Sequence, residues 1–187
     1  MLTKPKIKPA NPFFSSGPCS KRPGWNPNFL SKAVLGRSHR SVEALSRINM
    51  VLNTTRDLLN IPRDYKIALV PASDTGALEM AMWSLLGAKP IDVLAWESFG
   101  KDWVNDIIHQ LKVPNTRTLL ADYGNLPDLS MVDFNKDVVF TWNGTTSGVC
   151  VENGEWIDKN RNGLTICDAT SAVFSMELPW EKLDVTT

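Results

Sequence analysis

Short apolar segments of strand length alternate with amphipathic segments of helical spacing over most of this chain. The strand-like segments are 66–70, 91–96, 116–120, 137–142 and 164–168. The helix-like segments between them are 77–86 and 101–111. This pattern predicts an α/β fold with a mostly parallel sheet flanked by helices. Ligands bind such sheets at the carboxyl ends of the strands, so the polar turns at those ends are the candidate sites.

The first 40 residues have a different character. Residues 1–30 hold six of the 12 prolines, which excludes a long helix there and predicts an extended arm. From Ser41, a candidate N-cap, apolar residues at helical spacing predict a helix that closes before Pro62. The sequence therefore predicts two parts, an N-terminal arm over 1–40 and a larger α/β domain over 41–187.

Charge and cysteine content exclude several functional classes. Twenty basic residues balance 20 acidic ones, so neither a nucleic acid nor an anionic membrane is indicated as a partner. The three cysteines, Cys19, Cys150 and Cys167, form no C-x-x-C motif, which argues against a metal or disulfide framework and favours the reducing cytoplasm. No apolar run has the length of a transmembrane helix, and the N-terminus does not resemble a signal peptide.

The turn Ser73-Asp74-Thr75-Gly76 follows a predicted strand and opens a predicted helix. The free N–H groups of a helix start favour a phosphate group, and the two hydroxyls add donors. A side chain of Ser73 or Asp74 that only caps the helix is the alternative. The turn lacks the glycine and lysine pattern of the common nucleotide-binding loops.

Three further side chains lie where a flat cofactor could bind. Asp168 ends an apolar strand and could hold a protonated ring nitrogen, or it could cap a following helix. Thr145 lies in the hydroxyl-rich turn 143–148, which could bond a ring oxygen or be a plain turn. Trp103 could stack on a heteroaromatic ring, or it could simply pack in the core.

The segment Gly36-Arg37-Ser38-His39-Arg40 precedes the long helix and could bind an anion through its arginines. A solvated charged loop is the alternative interpretation. Neither His39 nor His109 has sequence partners that suggest a metal site or a serine–histidine–aspartate triad.

The order of these motifs resembles the phosphoserine aminotransferase family, in a version similar to its proteobacterial and archaeal branch. The resemblance covers the chain from about Asn11 to the end. It is carried by Phe14-Ser-Ser-Gly-Pro18, Ser38-His39-Arg40, Asp57–Pro62, Val70–Glu79, Trp96–Gly100, Phe140–Gly148 and Cys167–Ser171.

The resemblance implies the large domain of a fold-type I, class V enzyme that uses pyridoxal 5'-phosphate (PLP) and works as a cytoplasmic homodimer. Such an enzyme transfers an amino group between glutamate and 3-phosphohydroxypyruvate, gives phosphoserine for serine synthesis, and in some bacteria serves pyridoxine synthesis. The implied cofactor contacts are Ser73, Asp74 and Thr75 at the phosphate, Trp103 stacked on the ring, Thr145 at the ring oxygen and Asp168 at the ring nitrogen. His39 and Arg40 would bind the acidic end of the substrate.

The family's Schiff-base lysine is expected beyond Thr187, because Lys182 lies in an unrelated Trp-Glu-Lys-Leu context. We therefore expect an N-terminal fragment that lacks the small domain and is inactive by itself. Two alternatives remain open. One is another class V enzyme, such as a serine–glyoxylate aminotransferase or a relative of the cysteine desulfurases. The other is a non-catalytic α/β module that binds a phosphorylated ligand.

Overall fold

The structure is a computed structural model that describes residues 6–7 and 21–187. The motif Phe14–Pro18, Cys19 and the prolines Pro5, Pro9, Pro12 and Pro18 lie outside the described residues. The chain divides into two compact units, Met1–Ile48 and Asn49–Thr187. The predicted division into parts 1–40 and 41–187 stays a prediction.

In the first unit, the described part of the predicted arm contains a short 3-10 helix, Pro27–Lys32, which the Asn26 side chain caps by accepting from Asn28 N at 3.0 Å. The helix α1 spans Val42–Leu58 and crosses into the second unit. Ser41 Oγ accepts from Ala44 N at 3.3 Å, so Ser41 caps this helix as predicted.

The second unit holds the sheet and its helices. In chain order the remaining elements are α2 (Asp74–Leu85), β1 (Ile91–Ala95), α3 (Ser98–Asn105), β2 (Thr116–Leu120), β3 (Asp137–Thr141), β4 (Asn143–Gly144), β5 (Val149–Cys150), β6 (Thr165–Asp168) and β7 (Val185–Thr186). A π-helical turn, Asp106–Gln110, continues α3, and two 3-10 turns lie at Leu129–Met131 and Trp180–Lys182.

The five main strands form one sheet in the order β2-β1-β3-β6-β7, and each pairing in it is parallel. Strands β4 and β5 form a separate antiparallel hairpin directly after β3. The predicted α/β class with a mostly parallel sheet flanked by helices is therefore confirmed. Four of the five predicted strands are present, with ends within one residue of the prediction.

Alternate residues of the strands feed two apolar cores on the two faces of the sheet. One core packs Leu78 and Met82 of α2 and Ile107 against Val139 and Ile166. The other packs Phe140 and Cys167 against the segments that follow β5 and β6, and it includes Ile157, Ala172 and Leu178. The residues that follow β3 and β6 are thereby held at a fixed edge of a rigid sheet.

The predicted strand at 66–70 is wrong. The segment has no strand conformation, and Leu69 and Val70 are 62% and 38% exposed. A strand needs a hydrogen-bonded neighbour, and no strand among the described residues pairs with this segment. An apolar composition alone therefore did not make it a strand.

Candidate functional site

The carboxyl ends of β1, β3 and β6 meet at one edge of the sheet, because these strands are parallel and adjacent. This edge carries Glu97 two residues after β1, the 143–148 turn after β3, and Asp168 at the end of β6. Helix α2 packs on β6, which brings the helix start at Asp74 to the same edge. Four of the residues predicted from the sequence lie at this edge, and each comes from a different element: Asp74, Trp103, Thr145 and Asp168.

Asp168 has the most specific environment at this edge. Its Oδ2 accepts from the indole Nε1 of Trp103 at 3.1 Å, and its Oδ1 accepts from Thr170 N at 3.2 Å. Burial raises the pKa of Asp168 from 3.8 to about 6, and the nearby Asp74 carboxyl adds to the rise. An aspartate with this pKa is poised to ionise fully when a cationic group arrives beside it.

The Asp74 carboxyl is within hydrogen-bonding contact of the Asp168 carboxyl. A second carboxyl this close disfavours the charged form of Asp168, which adds to the rise of its pKa. The corner 73–75 and Asp168 therefore lie side by side, which is the arrangement expected from the sequence. Its assignment as a cofactor site stays a prediction.

Ser73 is the N-cap residue of α2, but its side chain makes no capping hydrogen bond. Ser73 and Thr75 are both exposed, and neither hydroxyl bonds to any residue in the part of the chain that the structure describes. Gly76 permits the tight approach here, because a Cβ on it would lie 3.0 Å from Ala72 Cβ. The corner thus presents two free hydroxyls and the open N–H groups of a helix start, and the simple capping alternative is not observed.

Trp103 is 2% exposed and packs in the apolar core that also contains Leu78 and Met82 of α2. Its N–H orients the Asp168 carboxylate, while its burial leaves little free ring face for stacking on another ring. Its predicted stacking role stays a prediction. Phe99 lies one turn earlier on the same helix face and is 41% exposed. Phe99 was not among the residues predicted from the sequence, although an aromatic residue shortly after a strand was a usable signal.

Thr145 lies in the 143–148 turn, and its Oγ1 is 3.1 Å from Ser171 Oγ. The Asn143 side-chain amide donates to the same Ser171 hydroxyl at 2.9 Å. Since Ser171 follows Asp168 by three residues, these bonds hold Thr145 close to the end of β6. Thr145 is an exposed residue, and its predicted bond to a ring oxygen stays a prediction.

Thr141 has an environment that the sequence did not reveal. It is the last residue of β3 and pairs in register with Asp168. It is 2% exposed, and its hydroxyl has no hydrogen-bond partner among the described residues. A buried hydroxyl without a partner is uncommon and marks a place where a water or a ligand atom is expected.

The predicted substrate residues His39 and Arg40 belong to the first unit, in the exposed bend before α1, and their role stays a prediction. Lys182 is buried and donates from Nζ to Gly154 O at 2.6 Å. Among the residues that the structure describes, no group of side chains could hold a metal ion, and no helix is long and apolar enough to cross a membrane.

No protein-family model matches the chain. Over 184 residues it is 57% identical to phosphoserine aminotransferase from Methanosarcina mazei, with 98% of this chain and 50% of that protein aligned. The chain is therefore similar over nearly its whole length to about half of a phosphoserine aminotransferase. The crystal structure of phosphoserine aminotransferase from Cytophaga hutchinsonii matches with a TM-score of 0.74 at 24% identity, over 85% of this chain and 45% of that one.

A PLP-bound phosphoserine aminotransferase from Trichomonas vaginalis has the same fold, with a TM-score of 0.65 at 18% identity over 79% of this chain and 45% of that one. The chain thus spans about half the length of the phosphoserine aminotransferases that it matches. The shared half is the part that contains the parallel sheet and the edge described above.

Proposed function

We propose that this chain forms the PLP-binding part of a phosphoserine aminotransferase. The observation that carries the proposal is the half-buried Asp168, which is held by Trp103 beside the free helix start of α2. The family relationship supports it, since a relative of 57% identity is a phosphoserine aminotransferase. The Trichomonas vaginalis relative of the same fold binds PLP, which supports the choice of cofactor.

The residues at the edge fit the chemical groups of PLP. A carboxylate whose pKa is raised by burial gains from a cationic partner, which the protonated ring nitrogen provides. The free hydroxyls of Ser73 and Thr75, together with the start of α2, fit a phosphate group. Thr145 offers a hydroxyl for the ring oxygen. Bound there, PLP supplies an electron sink for bond breaking beside an amino group.

The residues of this chain have three tasks in that reaction. Asp168 stays ionised and keeps the proton on the ring nitrogen, which sustains the electron sink. Trp103 fixes the direction of the carboxylate through its N–H bond. The Asp74 carboxyl lies beside Asp168, so it adds negative charge next to the place proposed for the ring nitrogen. The negative charge of a phosphate group would repel this carboxyl. We therefore assign the backbone at Asp74 to the phosphate end and its carboxyl to the ring-nitrogen end.

Two aromatic side chains compete for the stacking role. Trp103 was expected from the sequence, and its indole is almost fully buried. Phe99 is the more exposed ring on the same face of α3, and we propose that it takes the stacking contact, with Trp103 as the residue that orients Asp168.

The substrates follow from the family as proposals. We propose that glutamate and 3-phosphohydroxypyruvate are exchanged, with His39 and Arg40 binding the acidic end of the substrate. The same proposal includes a cytoplasmic homodimer and a role in serine synthesis, with a further role in pyridoxine synthesis in some bacteria. Arginine suits this task, because its planar fork binds carboxylate and phosphate groups through two parallel bonds.

The test uses the full gene product that contains this chain. We expect the protein to transfer an amino group between glutamate and 3-phosphohydroxypyruvate and to show PLP absorbance. Borohydride should change that absorbance and leave the cofactor attached to the protein. Asp168→Asn should lose the activity. If the same protein, tested with other substrates, prefers serine and glyoxylate, this preference would indicate another class V enzyme. Binding of phosphorylated ligands without any PLP absorbance would refute the proposal in favour of a non-catalytic module.

A further inference from the structure

Glu97 joins two elements at the candidate site. It is fully buried, and its Oε1 accepts from Gly100 N at 2.6 Å in the first turn of α3. Its Oε2 accepts from Thr146 N at 3.4 Å and from Thr146 Oγ1 at 3.0 Å. No lysine or arginine of the described residues forms an ion pair with it, so hydrogen bonds alone offset its burial.

The Thr146 hydroxyl is the centre of this network. A carboxylate only accepts, so the hydroxyl proton of Thr146 is directed at Glu97. Its oxygen then accepts from Ser98 N at 3.2 Å. The hydroxyl oxygens of Ser98 and Tyr123 lie 3.0 Å and 3.3 Å from the same Thr146 oxygen. One side chain thus ties the 143–148 turn to the start of α3 and to the loop after β2.

The backbone of the turn is also packed tightly against Glu97. A Cβ added at Gly144 would lie 2.6 Å from Glu97 Cγ and 2.7 Å from Trp96 Nε1. Only glycine allows the hairpin to approach this closely. The turn is therefore held by contacts on its inner side, while Thr145, the next residue, faces outward and remains exposed.

We propose that Glu97 and Thr146 are positioning residues that set the Thr145 hydroxyl for its contact with the cofactor. This inference rests on the proposed function, because it assumes that Thr145 meets PLP. Neither residue needs to touch the cofactor. Their effect passes through the backbone of the turn, which the buried carboxylate of Glu97 fixes by two hydrogen bonds, from the Thr146 amide and the Thr146 hydroxyl. A third bond, from Gly100 N, ties the same carboxylate to the start of α3.

The test compares Thr146→Val, which keeps the shape and loses the hydroxyl, with Thr146→Ser, which keeps the hydroxyl. Both are made in the full gene product. The first measurement is hydrogen–deuterium exchange of the 143–148 amides without PLP, and the second is the dissociation constant for PLP. Loss of a hydrogen bond to a charged group corresponds to about tenfold in affinity or more. We expect Thr146→Val to exchange faster and bind PLP about tenfold more weakly, and Thr146→Ser to match the unaltered protein.

Two results would overturn the inference. In the first, Thr146→Val keeps the exchange rate of the unaltered protein, which means that this hydroxyl does not hold the turn, or it keeps the PLP affinity, which means that the turn does not affect cofactor binding. In the second, Thr146→Ser is as impaired as Thr146→Val, so the methyl group and not the hydroxyl is what counts. An unaltered gene product that does not bind PLP refutes the proposed function instead, and the exchange rates then decide alone whether Thr146 holds the turn.

Discussion

Replacing Asp74 by asparagine tests the coupling between the two carboxyl groups at the sheet edge. Burial is the main cause that raises the pKa of Asp168 from 3.8 to about 6, and the charge and hydrogen bond of Asp74 add to it. Asparagine has nearly the same shape and carries no charge. We therefore expect Asp74→Asn to lower the pKa of Asp168 below 6 while burial keeps it above 3.8.

The sign of the effect on stability follows from the direction of the shift. The pKa of Asp168 is higher in the folded chain, so its contribution to stability is complete below pH 3.8 and is lost as the pH rises through about 6. One pKa unit corresponds to about 1.36 kcal/mol, so the full loss from ionising Asp168 is at most roughly 3 kcal/mol. Asp74→Asn should make this loss smaller.

The assay is urea unfolding of the PLP-free gene product at several pH values between 4 and 8. The variants are Asp74→Asn, Asp168→Asn and, as a surface control, Asp122→Asn, whose residue is exposed. We expect the loss of stability with rising pH to be largest in the unaltered protein and the control, smaller in Asp74→Asn and smallest in Asp168→Asn. Equal pH dependence in all four proteins would refute the carboxyl pair.

Four further substitutions test other parts of the structure. Phe99→Leu should weaken PLP binding about tenfold, because the ring that stacks on PLP is lost. Trp103→Phe should mainly shift the pKa of Asp168 upward, because the N–H bond to its carboxylate is lost. If Phe99→Leu binds PLP as tightly as the unaltered protein, the stacking role returns to Trp103. Asp92→Asn should reduce the free energy of unfolding by about 1–2 kcal/mol, because buried Asp92 loses its charged pairing with Arg117, whose own side chain is 38% exposed and stays solvated. An unchanged free energy of unfolding in urea would contradict this. Gly144→Ala should lower the melting temperature, since its Cβ would lie 2.6 Å from another side chain; an unchanged melting temperature would show that the turn relaxes freely.

The sheet was predictable where burial dominates. β1, β3 and most of β6 are buried along their length and largely apolar, so their composition marks them as central strands. The hydrogen-bonded environment of Asp168 was predictable for a related reason, because a carboxylate that ends a buried strand needs a partner. In each case the signal is local in the sequence.

Features that depend on distant partners were not predictable. Strand β7 is two residues long, and its place beside β6 depends on distant hydrogen bonds such as that from Thr187 N to Cys167 O at 3.0 Å. The segment 66–70 has a strand-like composition but no pairing partner among the described residues. Glu97 looked like an ordinary residue between a strand and a helix, and its role depends on a turn that lies 49 residues away.

The most direct test of a PLP site at Asp168 is the protonation state of the bound ring nitrogen. Nitrogen-15 NMR of the full gene product, loaded with PLP labelled at the ring nitrogen, reports it without reference to activity. We predict a protonated nitrogen in the unaltered protein at neutral pH and a neutral one in Asp168→Ala. The same nitrogen signal in both proteins, or no bound PLP in the unaltered one, would contradict the central claim.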